Sequence, residues 1–91
     1  MTRGAALVTG GARRLGRAMV LYLAGRGHDV AIHYSQSADE ADATATEARA
    51  LGVKAVTIGA DLLGEDATGA LIGHAVAGLD RPLTVLVNNA S

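Results

Sequence analysis

The sequence predicts an α/β chain, the first half of a doubly wound parallel sheet, and three observations carry that prediction. Short, nearly continuous apolar runs recur along the chain, as strands buried on both faces require. Segments of helical periodicity separate them, and strands alternating with helices imply right-handed crossovers and parallel pairing. A glycine-rich turn follows the first apolar run directly. The predicted element order is β-α-β-α-β-α-β, with the strands arranged 3-2-1-4.

Ala5–Val8 is the first predicted strand, Val30–Tyr34 the second, and Leu83–Val87 the clearest. Val53–Ile58 alternates more and reads as a sheet edge. The first helix, Leu15–Gly25, places Leu15, Met19, Tyr22 and Leu23 at helical spacing and stops at Gly25 and Gly27. Ser37-Ala38-Asp39-Glu40 matches a capping box, in which the serine hydroxyl and the glutamate carboxylate satisfy each other's backbone N–H. The helix that follows carries a stripe of Ala38, Ala41, Ala45, Ala48 and Leu51 and ends at Gly52. A third helix, about Glu65 to Ala77, sets Ala67, Leu71, Ala75 and Val76 on one side. Asp80-Arg81-Pro82 turns the chain into the last strand.

Composition narrows the function. Eight basic against nine acidic residues leave a net charge of -1, without the basic excess of a nucleic-acid surface. The absence of cysteine excludes a disulfide framework and a zinc-thiolate centre. No apolar run approaches the roughly 20 residues that cross a bilayer, so the expectation is a cytoplasmic chain with no membrane or nucleic-acid partner. Alanine and glycine dominate, with two tyrosines as the only aromatics, so core elements must approach closely. A chain of 91 residues without disulfide or metal buries only about 60–65% of its unfolded surface, and residues 1–91 read as an incomplete folding unit.

Thr9-Gly10-Gly11-Ala12-Arg13-Arg14-Leu15-Gly16 joins the first strand to the first helix. Such a turn aims backbone N–H groups and a helix N-terminus at one spot, which suits a phosphate. A P-loop reading from Gly11 to Gly16 fails, because the lysine and the Ser/Thr that reach phosphate and magnesium are missing. The dinucleotide fingerprint also expects an acidic residue at the end of the second strand, to hold a ribose 2′-hydroxyl. Here that strand ends His33-Tyr34-Ser35-Gln36-Ser37, and Asp29 lies at its other end. A site without that carboxylate accepts a 2′-phosphate, with Arg13 as its cation, so NADP(H) is favoured over NAD(H). Arg17 and Arg26 read as solvated helix charges, His28 and His74 as surface residues, and His33 as a strand-end side chain.

With Asp61-Leu62 after the third strand and Asn88-Asn89-Ala90-Ser91 after the fourth, the whole chain resembles the short-chain dehydrogenase/reductases. That family carries Thr-Gly-x3-Gly-x-Gly, an Asp, and Asn-Asn-Ala-Gly at the corresponding places on a Rossmann fold. Two departures, Arg14 for the middle glycine and Ser91 for the last, together with His33-Tyr34-x-x-Ser37, look like the pteridine reductase-like branch. Its members reduce pterins or folates with NADPH. The resemblance implies cofactor contacts at Gly10, Arg13, Arg14, Leu15, Ser35, Gln36, Ser37, Asp61, Leu62, Asn89, Ala90 and Ser91. Arg14 would pair with the diphosphate and border the substrate, and Ser91 would lie beside the nicotinamide. Asp61 serves either as the adenine contact or as a helix cap. Ser37 is a cap, a phosphate contact, or both. Of Asn88 and Asn89, one is expected to hold loops together. The branch often has arginine where this chain has Gln36, which leaves the 2′-phosphate to Arg13, Ser35, Ser37 and the start of the second helix.

The family's catalytic Ser, Tyr-x3-Lys and Asn have no match here, so no catalytic residue is assigned within residues 1–91 and no metal ligand either. Tyr22-x3-Arg26 has the spacing but lies in the first helix, and arginine cannot be tuned as lysine can. The expectation is the cofactor half of an oxidoreductase acting on a small molecule, inactive by itself and homo-oligomeric at full length. A fourth strand with a bare apolar edge is expected to make the isolated segment poorly soluble or oligomeric. The alternative is a non-catalytic, redox-sensing nucleotide-binding module on the same fold.

Overall fold

A computed structural model of the chain describes residues 4–11, 14–60 and 65–89. The described elements are β1 (Gly4–Thr9), α1 (Arg14–Gly25), β2 (His28–Tyr34), α2 (Ala38–Ala50), β3 (Ala55–Gly59), α3 (Glu65–Leu79) and β4 (Val85–Asn88). The strands form a four-stranded sheet, parallel as the alternation of elements predicts and in the expected order β3-β2-β1-β4. Register aligns Val8 with Ile32 and Val87, Thr9 with Asn88, and Tyr34 with Gly59. The carboxyl ends of all four strands therefore open on one edge.

Side chains alternate across the strands and build two apolar layers. On one face Ala6, Val8, Val30 and Ile32 pack with Val20 and Ala24 of α1 and Ala41, Ala45 and Ala48 of α2. On the other, Ala5, Leu7 and Ala31 pack with Leu71, Ala75 and Leu79 of α3. Alanines facing the sheet let the helices sit close to it, so a core this poor in large residues still excludes water.

Several details depart from the sequence expectation. Ser37 stands at the N-cap position of α2 and its carbonyl accepts from the Ala41 N–H at 2.9 Å, but its side chain makes no cap bond. The capping box is not formed. The buried stripe of α2 is Ala41, Thr44, Ala45 and Ala48; Ala38 and Leu51 are exposed, because they fall past the edge of the face that meets the sheet. In α3 the contact residues are Leu71, Ala75 and Leu79, with Val76 turned outward, and the side chain of Ala67 lies outside the described residues. The fourth strand begins at Val85 rather than Leu83; Thr84 precedes it and binds the Ala5 carbonyl through both its N–H (2.8 Å) and its hydroxyl (3.2 Å).

The amino edge of the sheet is pinned by Asp29, a buried carboxylate. One oxygen accepts the Lys54 N–H at 2.9 Å and the other lies 3.3 Å from Arg81 Nε. His28 beside it is half-buried rather than a surface residue, and its Nδ1 is buried without a hydrogen-bond partner. Arg17 is no simple solvated charge either: its guanidinium donates to Thr44 Oγ1 at 3.2 Å and pairs with Glu47, tying α1 to α2. Arg26 lies over the Tyr22 ring, 5.6 Å from its centroid, and His74 is exposed as expected.

Candidate functional site

β1 has β2 on one side and β4 on the other, and α1 and α3 cover opposite faces of the sheet, so a crevice opens at the carboxyl end of β1. The glycine turn occupies it. Gly10 adopts φ +63°, a left-handed backbone that glycine reaches without strain. Gly16, in the first turn of α1, meets that turn so closely that a Cβ would collide with the Gly10 carbonyl and lie 2.7 Å from Asn89 Nδ2. The two glycines thus bring the start of a 12-residue helix against the turn. No acidic residue occupies the first turn of α1, so the positive end of its dipole is not offset locally.

Arg14 opens α1 with φ +53°, unusual for a residue with a side chain. Holding it there costs about 1–2 kcal/mol relative to a glycine. Its side chain is exposed at the mouth of the crevice, as is that of Leu15, which is 62% accessible. Arg13 lies outside the described residues.

A network of polar groups holds the turn from below. The Thr9 hydroxyl accepts the Asn89 N–H at 2.9 Å and faces the Val87 carbonyl (3.3 Å) and Asn88 Oδ1 (3.1 Å) as acceptors. Asn89 Nδ2 donates to the Gly10 carbonyl at 3.2 Å. Asn89, expected at the cofactor, thus has its amide engaged with the turn itself, and the exposed Asn88 meets Thr9. From the β2 side, Gly11 N–H donates to the His33 carbonyl and Gly10 N–H to His33 Nδ1, both at 3.0 Å. His33 Nε2 lies 2.8 Å from the Ala60 carbonyl. This histidine is a buried cross-link between two loops, not the plain strand-end side chain that its position suggests. The cross-linking roles of Thr9 and His33 go beyond what the motifs containing them suggest. For His33 the signal is a polar side chain between Ile32 and Tyr34 in an otherwise apolar run.

Ser35, Gln36 and Ser37 follow β2 at the same edge, the first two exposed and the third partly so. Gln36 and Ser37 line a hollow with Ala38, Asp39 and Glu40 at the start of α2. Two carboxylates beside this hollow oppose a phosphate, so a 2′-phosphate there needs a cation from across the crevice. Asp61, Leu62, Ala90 and Ser91 lie outside the described residues. Among the described residues no cluster of His, Asp or Glu could hold a metal ion, and no helix is long and apolar enough to cross a membrane.

The turn and the helix start fit a dinucleotide diphosphate: the N-terminus of α1, with no acidic residue in its first turn, and the exposed Arg14 stand where the strand order reverses. Residues 4–91 match the short chain dehydrogenase family. The chain belongs to that family.

Relatives within the family include the 3-oxoacyl-[acyl-carrier-protein] reductase FabG of Staphylococcus aureus, 41% identical over 90 residues, or 99% of this chain and 36% of that protein. The uncharacterized oxidoreductase YgfF of Escherichia coli is 41% identical over 85 residues, 93% of this chain and 34% of that protein. Among solved structures, FolM alternative dihydrofolate reductase 1 from Brucella suis in complex with NADP superposes with a TM-score of 0.89 at 42% identity, covering 100% of this chain and 37% of that one. A dehydrogenase/reductase from Sinorhizobium meliloti gives 0.91 at 36% identity, again over 100% of this chain and 36% of that one. The chain thus spans little more than a third of the length of the family members it matches. Its sheet order is that of the amino-terminal half of the family's fold.

Proposed function

We propose that these 91 residues are the cofactor half of an NADPH-dependent reductase of the pteridine reductase-like branch, acting on a pterin-like ring or a small carbonyl compound. The observation that carries this reading is Arg14. A left-handed backbone at this position suits the glycine that the family carries, yet this chain keeps an arginine there and bears the strain. A guanidinium at the crevice mouth offers planar, bidentate pairing to diphosphate oxygens and still reaches toward a substrate stacked beyond them. The likeness to a FolM alternative dihydrofolate reductase in complex with NADP supports both the branch and the coenzyme.

A nicotinamide dinucleotide would supply hydride. This chain's own part is to bind and orient it: the first amides of α1 on the diphosphate, with Gly10 and Gly11 shaping the turn beneath it, Arg13 and Arg14 as counter-charges, Ser35 and Ser37 as neutral donors near the ribose. Asp61 and Leu62 would border the adenine, and Asn89, Ala90 and Ser91 the nicotinamide side. The proton donor of the family's reaction, a Tyr-x3-Lys pair, has no counterpart in this sequence, and the reading assigns it to another part of the protein.

A second reading, reduction of a 3-oxoacyl thioester, is favoured by the 41% identity to FabG. The intact protein, supplied with NADPH, separates the two. Oxidation of NADPH with a dihydropterin or dihydrofolate, and little with an acetoacetyl thioester, is the expected result. Turnover of the thioester with none of the pterin contradicts the branch. Dinucleotide binding without turnover of either points to the non-catalytic module.

A further inference from the structure

We propose that His33 is the positioning residue for the dinucleotide, a neutral imidazole that fixes the distance between the phosphate-binding turn and the loop leaving β3. The inference rests on reading the carboxyl edge of the sheet as the dinucleotide site, and adds the part that sets its span.

The protonation state follows from the partners. Gly10 presents an N–H, which can only donate, so Nδ1 must carry a lone pair. Ala60 presents a carbonyl, which can only accept, so Nε2 must carry the hydrogen. One neutral tautomer satisfies both partners. A doubly protonated ring would turn a second N–H against the Gly10 N–H. The ring is 2% exposed, so water cannot take over either bond cheaply.

The two loops that it joins are the two ends of the proposed site. Gly10 belongs to the diphosphate turn, and Ala60 directly precedes Asp61, the expected adenine neighbour. Backbone bonds run alongside, from Gly11 N–H to the His33 carbonyl and from Ala60 N–H to the Tyr34 carbonyl at 3.0 Å. These involve backbone groups, which a change of the His33 side chain does not remove. What the imidazole adds is a rigid strut between the loops, and a preformed span lowers the ordering cost of a ligand that must touch both ends.

Side-chain shape separates this role from simple core filling. Phenylalanine keeps the ring volume but has no acceptor. Asparagine loses volume; its Oδ1 sits where Nδ1 does and can still accept from Gly10, but the side chain is too short to reach the Ala60 carbonyl. In the intact protein, His33→Phe and His33→Ala are expected to weaken NADPH binding about tenfold, equivalent to ~1.4 kcal/mol, and His33→Asn, which keeps one of the two bonds, to fall between these variants and wild type. Nitrogen NMR of the wild-type imidazole, which needs no variant, is expected to show a bare Nδ1 and a protonated Nε2 at neutral pH. Wild-type affinity in the phenylalanine variant or in the asparagine variant, or a hydrogen on Nδ1, overturns the proposal while leaving the dinucleotide site standing. A wild-type protein that binds no dinucleotide overturns both.

Discussion

Arg14 concentrates the chemistry of this chain at one residue. Its left-handed backbone at the start of α1 is a local cost, and its exposed guanidinium gains nothing obvious in stability. Replacing it with glycine should remove strain of about 1 kcal/mol and raise the melting temperature slightly, while weakening NADPH binding several-fold. Paired melting and binding titrations of Arg14→Gly check this; tighter or unchanged binding would mean that the side chain serves no anion. His33 shows the limit of reading at this scale. Its position at the end of a strand was plain from the sequence. Its partners were not, because Gly10 and Ala60 lie 23 and 27 residues away and meet it only after both crossovers have closed.

At the scale of elements, the turn and α1 act as one unit because Gly16 allows them to touch. A methyl group there would collide with the Gly10 carbonyl, so either the helix start or the turn must move. Gly16→Ala should therefore lower stability by about 1–3 kcal/mol and cost more in dinucleotide affinity than the stability loss explains. Denaturation and binding measured on the same preparation decide it; a variant that binds normally would show that the close approach matters only for packing. Strand and helix identities were legible because apolar runs and helical spacing are local signals. The capping box and the edge of the α2 stripe were misread for a related reason. Ser37 has the residue type of a cap, but the backbone that enters α2 from β2 leaves its side chain without a cap bond. The burial of Ala38 and Leu51 depends on how far α2 overlaps the sheet, and no local pattern encodes that overlap.

Across the molecule, the sheet separates two roles. The amino edge is locked by Asp29 with Lys54 and Arg81, and the carboxyl edge presents the turn, the loop after β2 and the exit from β3. The sheet also has an uncovered side: Leu86 on β4 is 51% exposed, and Met19, Tyr22 and Leu23 of α1 line an apolar cleft with Val87. Family members roughly three times as long have more chain with which to cover such a face. Strand order followed from the sequence because glycine turn, acidic residue and paired asparagines appear in the family's order. Substrate choice was not legible, since no motif in these residues selects between a pterin and a thioester.

The central claim is that the turn after β1 holds the diphosphate of a dinucleotide. Amide NMR of the intact protein during titration with NADPH tests it most directly. Saturable shifts centred on Gly10, Gly11 and the first turn of α1, with Asp29 and Lys54 at the opposite edge unmoved, are the expected result. Shifts confined to other parts of the protein, with the turn unchanged at saturation, would contradict it.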